Sequence, residues 1–242
     1  MPFDSPFSYS MFSYEVESNG RYIHSKSELN FLNALKETWD KRKINLPTGT
    51  EVFRAQIDHI EKFTRDDEGI IESMEILPSE DQRLFPKKEY AVEGRLNPKG
   101  ILVFYASMSK ETAMSELRPW VKSKITVGTF RTKRDLTVLD LTLDSPKDIP
   151  EDDSDEKKEN FVWGDINYSF SKPIVNSETS AEYVPTQILA EFFKKNGFNA
   201  IIHKSSLGKE KNIVFFRSDY LELISKEVKE VSAVNYKFHN AF

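Results

Sequence analysis

Gly94-Arg95-Leu96-Asn97-Pro98-Lys99-Gly100 runs without a break into Ile101-Leu102-Val103-Phe104-Tyr105-Ala106-Ser107. Two glycines and a proline shape a turn. The apolar run behind them is too short for a helix and suits a buried strand. Ser109 then caps a short helix whose Ala113, Met114 and Leu117 face inward, ending near Pro119. Working outward, Glu51–Gln56 (EVFRAQ) reads as a strand before this unit, and residues 125–131 and 136–141 as two strands after it. Pro185 opens the best helix of the chain, with Ile188, Leu189, Phe192 and Phe193 on one face and Gly197 at its end. Strands over residues 199–203 and 212–216 follow. The order β, β, α, β, β, α, β, β lacks the steady alternation of a doubly wound sheet. It predicts a mixed α+β fold, with largely antiparallel sheets and flanking helices.

The remaining stretches carry weaker signals. Residues up to Gly20 mix Phe, Tyr and Ser and read as an arm. Ser25 and Glu28 have capping-box spacing, and Leu29, Leu32, Leu35 and Trp39 mark one packing face of a helix reaching about Asp40. Residues 58–88 read as a long polar connection. The tail beyond Tyr220 alternates imperfectly, leaving helix and strand both open. The chain divides into an N-terminal extension, residues 1–48, and a main domain, residues 49–242, with an acidic surface insertion at about 145–160.

The 242 residues contain no cysteine, and 34 basic against 39 acidic side chains give a charge of −5. The absence of cysteine removes disulfide scaffolds, thiolate metal sites and a cysteine nucleophile. Residues 141–160 hold eight acidic side chains and three lysines, so they carry the whole net charge and the remainder sums to zero. A neutral body with one acidic loop makes direct nucleic-acid binding unlikely. Lys122, Lys124, Arg131, Lys133 and Arg134 read as a solvated strand edge guarded by cations. No apolar run approaches the roughly 20 residues that span a bilayer, and the N-terminus has no secretory pattern, so a cytoplasmic protein is expected. His24, His59, His203 and His239 share no metal-ligand spacing, and no metal is expected. Neither a nucleophile elbow nor a dinucleotide or P-loop glycine motif occurs.

Three residues stand out near the opening stretch. Arg95 sits inside the shaped turn, Tyr105 can present a ring and hydroxyl at a cleft, and Glu116 borders the apolar face of the next helix as a partly buried carboxylate. Together with their surroundings they resemble the RES domain family. Gly94-Arg95-Leu96-Asn97-Pro98-Lys99-Gly100, Tyr105-Ala106-Ser107 and Thr112-Ala113-Met114-Ser115-Glu116 look like its first half. Phe53-Arg54-Ala55 resembles its early arginine-bearing strand. Pro185-Thr186-Gln187, Gly197-Phe198-Asn199-Ala200-Ile201, Ser205-Ser206 and Asn212-Ile213-Val214-Phe215-Phe216 resemble its second half. The resemblance spans about residues 51–220, and Leu96 stands where the family usually has an aromatic.

The resemblance implies an ADP-ribosyltransferase-like fold and the toxin component of a bacterial toxin–antitoxin pair, with a helix-turn-helix antitoxin as partner and a homodimer left open. It also implies NAD as substrate, degraded at the nicotinamide–ribose bond by a glycohydrolase or phosphorylase reaction. The Arg, Glu and Ser that name the family become Arg95, Glu116 and Ser205, the last rather than Ser206, with Tyr105 as a fourth catalytic candidate. Glu116 would stabilise a ribosyl cation, Arg95 and Arg54 would hold phosphates, Tyr105 would stack on nicotinamide, and Ser205, Asn97 and Asn212 would make polar contacts to substrate. The acceptor stays open among water, phosphate and a macromolecule, the last giving an ADP-ribosyltransferase. A different class, a catalytically silent module docking a partner through the N-terminal aromatics, is the remaining alternative.

Overall fold

Side-chain caps open two helices and a proline a third in the computed structural model, which describes residues 2–143, 154–172 and 180–235. Helix α1 (Ser8–Ser18) turns Tyr9, Phe12 and Val16 inward at helical spacing. Helix α2 (Lys26–Thr38) opens on a complete capping box: the Ser25 hydroxyl accepts from the Glu28 amide, and the Glu28 carboxylate accepts from the Ser25 amide. Strands β1 (Lys43–Leu46) and β2 (Glu51–Gln56) follow, then a hairpin of β3 (Ile60–Arg65) and β4 (Ile71–Leu77). Next come β5 (Phe104–Ser107) and helix α3 (Lys110–Ser115), whose Ser109 cap accepts from the Thr112 amide. Strands β6 (Lys124–Thr132) and β7 (Leu136–Asp140) lead to helices α4 (Asp155–Ser171) and α5 (Val184–Lys195), the latter with proline in its first turn. The chain closes with β8 (Ala200–Lys204), β9 (Lys211–Phe215) and β10 (Leu221–Glu230).

Eight strands form one sheet in the order β1-β7-β8-β9-β5-β2-β6-β10, antiparallel throughout except for the parallel pair β7–β8. The mixed, largely antiparallel α+β class is therefore the fold. One core lies where α1, α2, α4 and α5 pack together, around Trp163, Phe193 and Phe31. The indole of Trp163 is fully buried and donates to Thr38 Oγ1 at 3.1 Å. A second core, around Phe104, Phe130 and Phe215, fills the other side. Full burial of side chains this size contributes roughly 1.5–3 kcal/mol each.

Several local expectations are corrected. The N-terminal arm is a helix, because Tyr9, Phe12 and Val16 gain burial that the missing side-chain cap does not supply. The polar connection contains the β3–β4 hairpin, whose β3 residues are all exposed, so no hydrophobic alternation announces it. Of the acidic insertion, residues 145–153 lie outside the described residues. Residues 155–160 open α4, where Glu159 is buried and paired with Lys41 at 3.0 Å. The apolar run of residues 101–107 is strand only from Phe104. The tail is a strand to Glu230, with residues 236–242 outside the described ones. The basic strand over residues 124–132 is no edge: β6 lies between β2 and β10, and Arg131 and Lys122 pair with Glu51 and Glu230. Among the described residues no helix is long and apolar enough to cross a membrane.

Candidate active site

The Gly94–Gly100 turn is held from three directions. Gly94 and Asn97 bond each other's backbone, at 2.9 and 3.3 Å. Gln187, on the first turn of α5, donates from Nε2 to the Gly94 carbonyl at 2.9 Å and the Asn97 carbonyl at 3.2 Å. The buried Asn97 amide donates inward to the carbonyls of Val92, Pro98 and Ile101, at 2.9, 3.3 and 3.1 Å. Gly100 adopts φ +85°, the left-handed region that favours glycine. A Cβ at Gly94 would lie 2.7 Å from the Tyr105 hydroxyl, so only glycine lets that phenol approach.

Tyr105 reaches the turn from β5. Its hydroxyl donates to Asn97 Oδ1 at 2.9 Å and accepts from the Leu96 amide at 3.3 Å. The residue stays partly exposed while the buried hydroxyl has its pKa pushed up to about 12, chiefly by desolvation. Leu96 is itself buried in the helical core, so only its backbone serves the site. Arg95 is 8% exposed, donates from Nη1 to the Ser169 carbonyl at 3.2 Å, and lies with Cζ 5.2 Å from the centre of the Tyr183 ring.

The register aligns a polar row across three strands: Ser107 on β5 faces Asn212 on β9, which faces His203 on β8. Ser107 Oγ donates to Asn212 Oδ1 at 2.7 Å, and Asn212 Nδ2 donates to Glu116 Oε1 at 2.7 Å. The same carboxylate oxygen accepts from Ser205 Oγ at 2.6 Å. Ser205 Oγ in turn accepts from the amides of Leu207 and Gly208, at 3.1 and 2.7 Å. Glu116, the C-cap of α3, is exposed rather than partly buried, because α3 ends there and turns it toward the rim. Two neutral donors orient one of its oxygens, so the negative charge stays aimed at the cavity.

These groups enclose a cavity of about 400 Å³ lined by Arg54, Arg95, Asn97, Tyr105, Glu116 and Asn212. Every site candidate from the sequence except Ser205 lines it. Ser206 lines the wall, whereas Ser205 acts one bond behind it through Glu116. Arg54 donates from Nη1 to the Tyr105 carbonyl at 2.8 Å, its Cζ lies 5.1 Å from the Phe104 ring centre, and burial pulls its pKa down to about 10. Among the described residues no group of three His, Cys, Asp or Glu side chains clusters as a metal would require.

A family model described as the RES domain matches residues 79–239. The chain belongs to the RES domain family. One solved structure, the crystal structure of the M. tuberculosis MbcT-MbcA toxin-antitoxin complex, is similar at 14% identity and a TM-score of 0.41, over 81% of this chain and 92% of that one. No curated protein matches. The RES match takes in the turn, β5, α3 and the β8–β9 pair; it leaves α1, α2, β1, the β3–β4 hairpin and also β2 outside, so the Phe53-Arg54-Ala55 strand read as part of the family lies beyond the matched residues.

Within the RES domain, sequence reasoning missed His203 and the end of α4. Phe170, Ser171 and Lys172 wall the cavity, and Ser169 anchors Arg95. The buried faces at Val162, Ile166 and Phe170, four residues apart, were the available signal for that helix. His203 is 6% exposed and lines the same cavity, and its pKa falls to about 4, mainly through burial. Its Nδ1 lies 2.9 Å from the Lys204 carbonyl, which can only accept, so the proton sits on Nδ1 and Nε2 carries the lone pair. The imidazole is thus neutral and places no positive charge beside Glu116.

Proposed function

We propose that this protein consumes NAD by cleaving the nicotinamide–ribose bond, as the toxin of a toxin–antitoxin pair. The observation that carries the reading is Glu116, whose Oε1 is fixed by Ser205 and Asn212 at the rim of a cavity that also presents Arg95 and Tyr105. Breaking that bond sends the electron pair to the nicotinamide nitrogen and leaves positive charge on the ribose. A carboxylate oriented before substrate arrives stabilises this charge without reorganising, and one such group supplies about 2.7–4 kcal/mol. The exposed part of the Tyr105 ring offers an aromatic contact to the nicotinamide ring, worth roughly 0.5–1.5 kcal/mol. Arg95 and Arg54 supply planar guanidinium donors suited to a pyrophosphate. His203, neutral at physiological pH, leaves the field of Glu116 undiminished.

The acceptor that completes the reaction is water or phosphate, giving a glycohydrolase or a phosphorylase. The purified chain incubated with NAD should release nicotinamide, and adding phosphate separates the two by product: ADP-ribose in one case, its 1-phosphate in the other. NAD left intact with and without phosphate contradicts the reading. A second reading, transfer of ADP-ribose to a macromolecule, is favoured by Trp120 and Val121, which stand 77% and 49% exposed just beyond the rim residue Arg118. Adenine-labelled NAD distinguishes them, since label held on macromolecule marks a transferase. A helix-turn-helix antitoxin would silence the toxin in the cytoplasm by covering the cleft at Arg95 and Glu116, and a complex that leaves this cleft open contradicts that role.

A further inference from the structure

The large sheet is nearly cut in two. β2 and β5 share a single register pair, Phe53 with Ser107, whereas β2 and β6 share six pairs and β5 and β9 four. Beside that one pair the strands part, and Arg54 and Tyr105 stand on either side of the gap, joined by the bond from Arg54 Nη1 to the Tyr105 carbonyl. A second hollow of about 320 Å³ opens on the same gap. It shares Arg54, Gln56, Val92, Asn97 and Tyr105 with the cavity of Glu116, so the two are lobes of one cleft with Arg54 at the throat.

The second lobe has its own chemistry. Phe85, Pro86, Leu102 and Val103 give it an apolar wall, and Gln82 and Lys87 give it amide and basic edges; Arg83 also lines it but is paired with Asp58 at 2.8 Å, and Gln82 Nε2 donates to Glu80. At the throat, Arg54 Nε is buried without a hydrogen-bond partner. A buried N–H lacking an acceptor is uncommon and costly. It leaves a donor at the cleft for an incoming oxygen, and the Arg54 guanidinium is charged at physiological pH. An apolar wall that includes the Phe85 ring, amides beside it, and Lys87 leading to a buried guanidinium together describe a site for a purine nucleotide.

We infer that the second lobe binds the adenosine 5′-phosphate half of the dinucleotide, with Arg54 on the pyrophosphate and the purine against Phe85 and Pro86. This rests on the NAD reading of the first lobe and extends it: nicotinamide ribose lies beside Glu116, the chain of phosphates passes the β2–β5 gap, and the adenine half occupies the far side. Gln56 and Gln82 face the purine edge, and Lys87 meets a phosphate or ribose oxygen. Lys87 Nζ now bonds Gln82 Oε1 at 3.2 Å, an amide acceptor that carries no charge and that an anion outcompetes for the ammonium.

The test compares wild type with Lys87→Glu and Lys87→Arg, at a half-exposed position, with the unfolding midpoint of each variant measured alongside. With NAD and nicotinamide mononucleotide as alternative substrates, Lys87→Glu should raise KM for NAD about tenfold and lower the NAD-to-mononucleotide ratio of kcat/KM by a similar factor, with Lys87→Arg restoring it. In parallel, AMP affinity measured by calorimetry on the same proteins should fall about tenfold in Lys87→Glu. Wild type that fails to bind AMP, AMP affinity indifferent to Lys87→Glu, or an unchanged substrate ratio overturns the inference. AMP binding that depends on Lys87 in a protein that leaves NAD intact upholds the lobe and removes the NAD-cleaving reading instead.

Discussion

Replacing Asn97 by alanine separates a residue that builds the site from one that touches substrate. Its amide donates to three carbonyls at 2.9, 3.3 and 3.1 Å, and its Oδ1 accepts the Tyr105 hydroxyl at 2.9 Å, all in a residue 4% exposed. Each such bond contributes about 1 kcal/mol net, and partners left buried without replacement cost more. Alanine frees the Tyr105 hydroxyl and orphans turn carbonyls, so the loss should be about 2–4 kcal/mol. With a urea slope of about 3 kcal/mol/M, the midpoint should fall by roughly 1 M, and Tm by on the order of 10 °C. Asn97→Asp should be at least as damaging, since it keeps the acceptor for Tyr105 but sets a carboxylate against the three carbonyls. Urea unfolding followed by tryptophan fluorescence reads the midpoint directly. A midpoint unchanged in Asn97→Ala, with weakened NAD binding alone, would refute the reasoning and return Asn97 to the role of a substrate contact.

Three further outcomes follow from the same geometry. Ser205→Ala should lower kcat about tenfold or more, because it removes a charge-assisted bond to Glu116 and orphans the Leu207 and Gly208 amides, while Ser206→Ala should change kcat much less; equal effects would sink the assignment of Ser205. Gly94→Ala should push the Tyr105 hydroxyl off Asn97, since the new methyl would lie 2.7 Å from it, and should show as loss of both stability and activity in unfolding and turnover assays. His203 is neutral in the folded chain with its pKa held at about 4 by burial, against 6.5 when unfolded, so the unfolded state binds the extra proton between those values. Its contribution is complete above about pH 6.5 and is lost as pH falls toward 4, up to roughly 3 kcal/mol; Glu116 and Arg95 are the charged groups acting on it, and His203→Gln should flatten that part of the stability–pH curve.

Signals carried by a few neighbouring residues were legible in the sequence. The Ser25–Glu28 capping box and the Ser109 cap bond within one turn of chain, the Pro185 helix start acts through proline's fixed backbone angle, and each appears as expected. Helix α1 was hidden because its N-cap, Phe7, makes no side-chain bond and polar serines dilute its inward face. The start of α4 was hidden because it buries charged residues: Lys158 and Glu159 are 7% and 6% exposed, a burial that rests on distant partners such as Lys41. Site membership followed the same division. Arg95, Tyr105 and Glu116 could be named from their motifs, but their meeting depends on Gln187 pinning the turn from α5 and on the register that sets Asn212 opposite Ser107. His203 gave no local cue, since neutrality and tautomer come from burial and one backbone carbonyl.

The central claim is that Glu116, steadied by Ser205 and Asn212, drives rupture of the nicotinamide–ribose bond. Proton NMR of NAD mixed with wild type or with Glu116→Gln measures this most directly, because Gln keeps an oxygen for both donors while removing the charge. Free nicotinamide signals should grow at the rate NAD signals decline with wild type, and about 10²–10³-fold more slowly with Glu116→Gln at unchanged Tm. NAD that stays intact with wild type, or is cleaved equally fast by both proteins, contradicts the account.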